Sequence, residues 1–345
     1  MSLPIRPPFP PMEALSVDVI PPGDEWQYEP KWDGFRCLVF RDGEKVELQS
    51  KSGQPLARYF PEIVEAVMRL PAKQFILDGE LVIPAKNGLS FDDLLLRLHP
   101  AESRVRKLSV ATPALLIVFD LLADPLNSRL AEAPLEKRRA ALEKFAKTNF
   151  KDSSKLRLSP ATRNFKEANA WFSRPGESLD GVIAKRLDLP YRSGERDGMV
   201  KVKPIRSVDC VVGGFRYGEK TKVVGSLLLG LYDDAGLLHH VGFTSSVKAA
   251  DRPSVTKKLE RLRGEGFTGR APGGPSRWST ERSAEWVRLK PELVVEVSYD
   301  HFTGGRFRHG TKLLRWRPDK APRLCNLDQV TPKKRQKSLE LLGLK

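Results

Sequence analysis

The stretch EPKWDGFR, residues 29–36, sets a single lysine, Lys31, among residue types that suit a reactive amine. A protonated lysine is a poor nucleophile, and its reference pKa is about 10.4. Nearby cations and burial both favour the neutral amine. Arg36 follows in the same stretch, and Lys201 and Lys203 in MVKVKP are further cations. These residues predict a lysine nucleophile that attacks a phosphate held by positive charge. The simpler alternative is a turn with solvent-exposed charges.

Two carboxylates interrupt apolar runs. Glu80 lies in ILDGELVI and Asp180 lies in SLDGVIAK. A carboxylate in such a run is costly to bury unless it is paired or binds a metal. Carboxylate and phosphate oxygens suit Mg²⁺, which takes few protein ligands and keeps several waters. Both residues are therefore candidate metal ligands, with pairing to arginine at strand ends as the alternative. Phe119, at the end of another apolar run, is by itself expected in the core.

The elements around these residues mix strands and helices without regular alternation, which favours an α+β domain with antiparallel pairing. One helix is expected to have Pro134 at its first position. Apolar runs predict strands at residues 37–40, 45–50, 75–83, 114–122 and 180–186, and helices at 61–70, 134–147 and 165–172.

The pattern changes at residues 203–206, where a boundary between two domains is expected. Five strands with one helix fit a small Greek-key barrel such as the OB-fold, and an SH3-like barrel fits nearly as well. The tail TPKKRQKSLELLGLK is basic and then weakly amphipathic, which predicts a surface helix or a frayed end. The second half has predicted strands at 208–218, 223–234, 236–243, 293–299 and 312–316, a helix at 254–263 and a Gly/Pro/Ser-rich loop at 264–276.

The charge is strongly positive and uneven. The formal net charge is +16, and residues 204–345 hold 27 Lys and Arg against 15 Asp and Glu. Such a surface favours a polyanionic partner, nucleic acid above all, over acidic proteins and neutral small molecules.

The cysteines and the N-terminus point to a cytoplasmic protein. Cys37, Cys210 and Cys325 are far apart, and three cysteines form neither a Cys₄ zinc site nor a disulfide framework. A reducing compartment is therefore expected. Prolines interrupt the first residues where a signal peptide needs an apolar run, and no apolar run is long enough to span a bilayer.

Seven motifs occur in order along the chain: EPKWDGFR, SKSGQPLARYFPE, LDGELV, VFDLL, LDGVIAKR, MVKVKP and RWRPDK. This succession closely resembles the covalent nucleotidyltransferases, specifically the ATP-dependent DNA ligases, with the small two-domain bacterial C-type ligases nearest. The resemblance implies an α+β fold: an antiparallel-sheet nucleotidyltransferase (ATP-grasp-like) domain at residues 1–203, an OB-fold β-barrel domain at 204–332 and a basic C-terminal tail at 333–345.

The resemblance also implies a role for each matching residue. Lys31 would attack the α-phosphate of ATP, release pyrophosphate and carry AMP, with Lys201 and Lys203 neutralising that phosphate. Glu80 would bind the ribose hydroxyls, and Glu80 with Asp180 would bind Mg²⁺, with Mn²⁺ as a second candidate. Asp180 stands where glutamate is usual, which shortens its reach by one methylene. The other implied nucleotide contacts are Glu29 at the adenine amino group, Phe119 and Ile183 on the two faces of the base, and Arg36 and Lys51 at the phosphates or ribose. Arg196 in YRSGER is a further candidate for nucleotide contact.

The last motif belongs to the second domain. By resemblance, Arg317 and Lys320, with Arg315 and Asp319, would close over the nucleotide to orient pyrophosphate and then move away for DNA. The expected substrate is a nick in double-stranded DNA, and the expected role is DNA repair. A Ku-type end-binding protein or a repair polymerase is the expected partner of a monomeric, nucleoid-associated bacterial protein with no membrane contact.

Three other readings remain open at this point. An mRNA-capping guanylyltransferase or an RNA ligase of the same superfamily shares the lysine motif, but it would use GTP or RNA. A NAD-dependent ligase is disfavoured, because three cysteines cannot build that family's zinc finger. A non-enzymatic OB-fold nucleic-acid-binding protein would explain the charge, but not the ordered nucleotide-site motifs.

Overall fold

The computed structural model describes residues 2–86, 88–126, 128–172, 179–204, 206–273, 285–331 and 338–344. They divide into two compact units. The first contains the described residues up to Pro204 together with residues 338–344, and the second contains those from 206 to 331. The last residues, predicted as a separate tail, thus group with the first unit. Part of the predicted loop, residues 274–276, lies outside the described residues.

The first unit is built on two sheets. A five-stranded sheet has the order β4-β3-β5-β8-β9, and a four-stranded sheet has the order β1-β11-β10-β2. All pairings are antiparallel except β8 with β9 and β1 with β11. The strands are β1 (Leu15–Ser16), β2 (Trp26–Pro30), β3 (Phe35–Asp42), β4 (Lys45–Ser50), β5 (Gln74–Val82), β6 (Pro84–Ala85), β7 (Gly88–Leu89), β8 (Leu115–Ala123), β9 (Leu156–Leu158), β10 (Val182–Arg186) and β11 (Met199–Val202).

Helices cover the outer faces of these sheets. Residues of α1 and α4 pack on one face of the five-stranded sheet, and α5 packs on one face of the four-stranded sheet. The helix of residues 134–147 begins one residue later than predicted, because Pro134 is its N-cap and not its first helical residue. The helices are α1 (Pro61–Met68), α2 (Phe91–Arg97), α3 (Glu102–Ala111), α4 (Leu135–Asn149), α5 (Phe165–Phe172) and α7 (Ser338–Leu341).

The inner faces of the two sheets share a core. Leu38, Phe40 and Ile76 of the five-stranded sheet pack in one cluster with Met199 and, at its edge, Ile183 of the four-stranded sheet. Side chains alternate between the two faces of a strand. Polar residues at even spacing from these core positions therefore point into the same space between the sheets.

The second unit is one curled antiparallel sheet of order β14-β13-β12-β16-β19, with β15 beside β12. Among the described residues, one isolated bridge joins Thr244 at the end of β14 to Thr311, the residue before β19, so no continuous ladder closes the predicted barrel. A five-stranded, partly open barrel with one helix is OB-like. Its elements are β12 (Arg206–Tyr217), β13 (Val224–Tyr232), β14 (Leu238–Thr244), α6 (Arg252–Glu260), β15 (Val287–Arg288), β16 (Val294–Tyr299), β17 (Phe302–Thr303), β18 (Arg306–Phe307) and β19 (Lys312–Trp316).

Candidate active site

A cavity of about 1130 Å³ lies in the first unit and is lined by side chains from both sheets. Every lining residue belongs to that unit. The cavity brings together residues from Pro11 to Lys201, which are 190 positions apart in the sequence. The predicted site residues that line it are Glu29, Lys31, Arg36, Lys51, Glu80, Phe119, Ile183 and Lys201.

Strand register explains this convergence. In the four-stranded sheet Ile183 pairs with Glu29 on one side and with Lys201 on the other, so the three side chains form a row on one face. In the five-stranded sheet Arg36 pairs directly with Glu80. The sequence motifs are thus brought together because each lies at a matched register position on an inner sheet face.

Lys31 follows β2 and forms an ion pair with Asp180, which precedes β10. The backbone supports this pair, because the Lys31 N–H donates to the Gly181 carbonyl over 2.9 Å and the Asp180 N–H donates to the Lys31 carbonyl over 3.0 Å. Gly181 has φ of +126°, and a Cβ there would collide with the Val202 carbonyl, so the turn after Asp180 requires glycine.

The electrostatics of Lys31 differ from the sequence-based expectation. Burial lowers the pKa of the amine, but the negative charges of Asp180, Glu80 and Asp33 raise it, and the net pKa is above the ordinary value. The expectation that nearby cations and burial favour the neutral amine is therefore wrong for this arrangement as a whole, although burial does act in that direction. The reason is that a carboxylate is in direct contact with Nζ. Lys203 also pairs with Asp180, at 3.1 Å.

Within the described part of the chain, two charged residues of the cavity, Glu80 and Lys201, have no hydrogen-bond or ion-pair partner for their side chains. Burial raises the pKa of the Glu80 carboxyl to about 7. Burial and then the charges of Lys31 and Lys203 lower the pKa of Lys201. An acceptor and a cation of this kind are available to a ligand that brings hydroxyl groups and negative charge.

Arg36 is held by a residue that sequence reasoning missed. Its Nε and Nη2 donate to the two carboxylate oxygens of Asp78 over 2.5 and 2.6 Å, and the Tyr191 hydroxyl donates to the same carboxylate over 2.6 Å. The Arg36 guanidinium also lies 4.6 Å from the centre of the Phe119 ring. Asp78 is two residues before Glu80 and therefore on the same strand face, which is the signal that could have identified it.

Glu29 is also fixed by residues that the sequence did not single out. It is almost fully buried, accepts a hydrogen bond from Gln27 Nε2 over 2.8 Å and pairs with Lys185 Nζ at 2.9 Å. The Lys185 ammonium lies 4.6 Å from the centre of the Phe119 ring. Lys185 pairs with Gln27 across β10 and β2, two positions from the Ile183–Glu29 pair. These residues form a polar end of the cavity beside an aromatic ring.

Lys51 and Arg196 meet at a carboxylate. Glu13 pairs with Lys51 at 3.0 Å and with Arg196 at 3.1 Å. Both cations are more than half exposed, so each pair contributes little to stability. Glu13 also lines the cavity, although its sequence context carried no predictive signal.

Arg317 and Lys320 lie in the second unit. Arg317 pairs with Asp209 at 2.9 Å and with Asp319 at 2.8 Å, and Lys320 lies 3.5 Å from Asp209. Arg315 pairs with Glu296 at 2.6 Å. The RWRPDK motif thus forms a charged cluster at the end of β19. In neither unit is a described helix long and apolar enough to cross a membrane.

Comparisons with known proteins agree with these motifs. A family model described as ATP dependent DNA ligase domain matches residues 12–203, and one described as ATP dependent DNA ligase C terminal region matches residues 220–320. The chain is 45% identical to DNA ligase C2 of Mycolicibacterium smegmatis over 351 residues and 42% identical to DNA ligase C of Mycobacterium tuberculosis over 349 residues, in each case across 96% of both chains.

A structural comparison supports the fold alone. A solved structure from a study of Lig E DNA ligases aligns with 89% of this chain and 99% of its own, with a TM-score of 0.52 at 15% identity. The family matches cover both units, and the lysine-centred cavity lies within the first of them. The chain therefore belongs to the ATP-dependent DNA ligases, among the bacterial C-type enzymes.

Proposed function

We propose that this ligase seals nicks in duplex DNA through an AMP group carried on Lys31. The observation that carries the proposal is the meeting, in one cavity, of a partly buried lysine, Lys31, with Lys201 and Glu80, whose side chains have no hydrogen-bond or ion-pair partner among the described residues. An amine, a cation and a hydrogen-bond acceptor suit a nucleotide, which has phosphates to attack and neutralise and a ribose with hydroxyl groups to bind.

In the first reaction Nζ of Lys31 forms a bond to the α-phosphorus of ATP. The bond from that phosphorus to the bridging oxygen breaks, and its electron pair leaves with pyrophosphate. The ammonium loses one proton before attack and the nitrogen loses a second as the phosphoramidate forms. Asp180 is the carboxylate in contact with Nζ and is placed to accept a proton. Lys201 and Lys203 would neutralise the phosphate, with Lys51 and Arg196 nearer the solvent.

The base and the ribose have separate partners in this proposal. Glu29, oriented by Gln27 and Lys185, would accept a hydrogen bond from the adenine amino group. Phe119 and Ile183 both line the cavity and would contact the two faces of the base. Arg36 is engaged with Asp78, so we assign it a positioning role beside Phe119, with a ribose contact from Nη1, which has no hydrogen-bond partner among the described residues.

The donor set fits a divalent cation, and we propose Glu80 and Asp180 as its protein ligands, together with oxygens of the ATP phosphates. Glu80 offers a carboxylate with no partner among the described residues. Asp180 is neutralised by two ammonium groups here, so it suits a cation once Lys31 has lost its proton. A bound Mg²⁺ or Mn²⁺ would neutralise phosphate charge and favour the uncharged amine of Lys31.

Two further transfers complete sealing. An oxygen of the 5′-phosphate at the nick would attack the AMP phosphorus, and the Lys31 nitrogen would leave with a proton. The 3′-hydroxyl would then attack the 5′-phosphate, lose its proton and release AMP. The second unit would supply Arg317 and Lys320 to the first reaction and a basic surface to DNA. The excess of basic residues after position 203 supports DNA contact, because phosphate neutralisation drives non-specific DNA binding.

We further propose DNA repair at the bacterial nucleoid as the setting, with a Ku-type end-binding protein or a repair polymerase bringing the enzyme to breaks. The net charge of +16 supports accumulation on chromosomal DNA.

The test is sealing of a nicked duplex with a labelled 5′-phosphate, in ATP and Mg²⁺, by the wild type and by Lys31→Ala. We expect sealed product and a covalent AMP adduct from the wild type only. A wild-type amount of adduct from Lys31→Ala would refute the assignment of the nucleophile. The same assay with GTP, or with a nicked RNA strand, tests the capping-enzyme and RNA-ligase readings.

A further inference from the structure

The last described residues, 338–344, form a short docked segment of the first unit, which we call the C-terminal anchor. It begins with the single turn α7 and ends in a Schellman motif, in which the Leu344 N–H donates to the Leu339 carbonyl over 2.8 Å and the Gly343 N–H donates to the Glu340 carbonyl over 2.9 Å. Gly343 has φ of +66°, the left-handed conformation that this motif needs. The sequence LELLGL therefore encodes a defined local structure.

The anchor buries its leucines against the first unit. Leu339 and Leu342 are 3% and 5% exposed, whereas Glu340 between them faces solvent. Leu341 and Leu344 are partly buried at the edge of the same apolar cluster. The cluster consists of Trp32, Val82, Leu115, Ile117, Leu179 and Leu342.

Three members of this cluster are direct neighbours of proposed active-site residues. Trp32 follows Lys31 in the chain, and Leu179 precedes Asp180. Ile117 is the cross-strand partner of Glu80 on the five-stranded sheet. The indole N–H of Trp32 donates to the Ser159 hydroxyl over 3.0 Å, so this ring has a fixed place in the cluster.

We propose that the C-terminal anchor is a positioning element for the lysine nucleophile. Leu342 of the anchor packs in one apolar cluster with Trp32 and Leu179, the chain neighbours of Lys31 and Asp180. The two segments are also joined to each other by the backbone hydrogen bonds of Lys31 and Asp180 described above. Packing against Trp32 and Leu179 restrains the backbone at both residues and so holds Nζ in the direction from which it attacks. The proposal rests on the proposed role of Lys31, and it adds a segment that follows the OB-like unit in the chain.

The mechanism predicts a selective defect. A displacement of about 1 Å in a reacting group lowers a rate on the order of 10²-fold. Loss of the anchor should therefore slow formation of the Lys31–AMP adduct by about tenfold or more at saturating ATP. Sealing of a nick that already carries 5′-AMP does not use the Lys31 amine as nucleophile, so that reaction should change much less.

The test uses the full chain with Leu339→Asp and Leu342→Asp combined, and the matched control Glu340→Gln, which alters only the exposed position of the same turn. Single-turnover adduct formation with labelled ATP gives the maximal rate of the first reaction and the ATP concentration at half-maximal rate. Sealing of a pre-adenylylated nick gives the rate of the third reaction. A synthetic peptide of residues 332–345, added to the double variant, should restore the adduct rate, whereas the same peptide with both leucines replaced by aspartate should not.

The outcomes separate the two proposals. No adduct from the wild type would refute the proposed role of Lys31. An adduct from the wild type and an equal rate from the double variant would overturn the role of the anchor. Equal losses in adduct formation and in sealing, without rescue by the peptide, would also overturn it and indicate a general contribution to folding. Leu342→Ala, a milder change, serves in place of the double variant if circular dichroism shows the latter to be unfolded.

Discussion

Replacing Lys185 with methionine tests the polar end of the cavity most directly. The side chains of Lys185 and Glu29 are 8% and 3% exposed and lie 2.9 Å apart, so solvent screens their attraction little. Removing one partner of a buried ion pair typically costs about 3–5 kcal/mol, because the other charge stays buried without compensation. Gln27 still donates to Glu29, which favours the lower end of this range.

We therefore expect Lys185→Met to lower the free energy of unfolding by about 3 kcal/mol. For a unit of this size the midpoint of thermal unfolding should fall by roughly 6–12 °C. Urea unfolding followed by tryptophan fluorescence measures the first quantity, and calorimetry measures the second. Adduct formation with ATP should weaken as well, because Glu29 loses the Lys185 contact that orients its carboxylate toward the cavity.

The double variant Glu29→Gln with Lys185→Met is the control, because it removes both charges together. Replacing a whole buried pair by neutral side chains of similar size is often close to neutral for stability. The double variant should therefore be more stable than Lys185→Met alone. A single variant as stable as the wild type, or a double variant less stable than the single one, would refute the reasoning about this pair.

Other substitutions test the remaining parts of the site. The pKa of Glu80 in the folded protein is about 7, above the ordinary value of 4.5. As the pH rises from 4.5 to above 7, the wild type should therefore lose up to about 3 kcal/mol of stability relative to Glu80→Gln. Urea unfolding of both proteins at pH 5 and pH 8 measures this difference. Tyr191→Phe removes a hydroxyl donor from the buried Asp78 and should cost about 1–2 kcal/mol in the same assay. Arg317→Ala with Lys320→Ala should slow adduct formation while sparing the sealing of pre-adenylylated nicks, measured in parallel time courses.

For each of these three predictions, a specific result would contradict the reasoning. The exposed Glu47→Gln serves as the control for the pH series and should leave the pH dependence unchanged. If the free energy of unfolding of Glu80→Gln had the same pH dependence as that of the wild type, burial would not raise the pKa of Glu80 as proposed. An unchanged stability of Tyr191→Phe would mean that Asp78 is satisfied by Arg36 alone. Equal losses in both time courses for the Arg317 and Lys320 variant would contradict a role confined to the first reaction.

Local sequence patterns determined most of the elements. The predicted bounds of β4, β19 and α5 agree with the structure, because each is a short run with a clear period or a clear start and end signal. Helices α2 and α3 were not predicted. In α3 only Val105 is buried, so its sequence has no apolar stripe for a helical period to reveal.

The sequence by itself determined the family, the candidate nucleophile and the residue types of the site, because these are read from the order and spacing of motifs along the chain. The tertiary structure alone decided which groups act on one another. Asp180 meets Lys31, Tyr191 meets Asp78 across 113 positions, and Lys185 meets Glu29 across 156. The packing of the C-terminal anchor against Trp32 and Leu179 is another contact between residues far apart in the sequence. Strand register sets the distances between these side chains, and burial sets how strongly their charges interact. Both register and burial depend on residues far apart in the sequence.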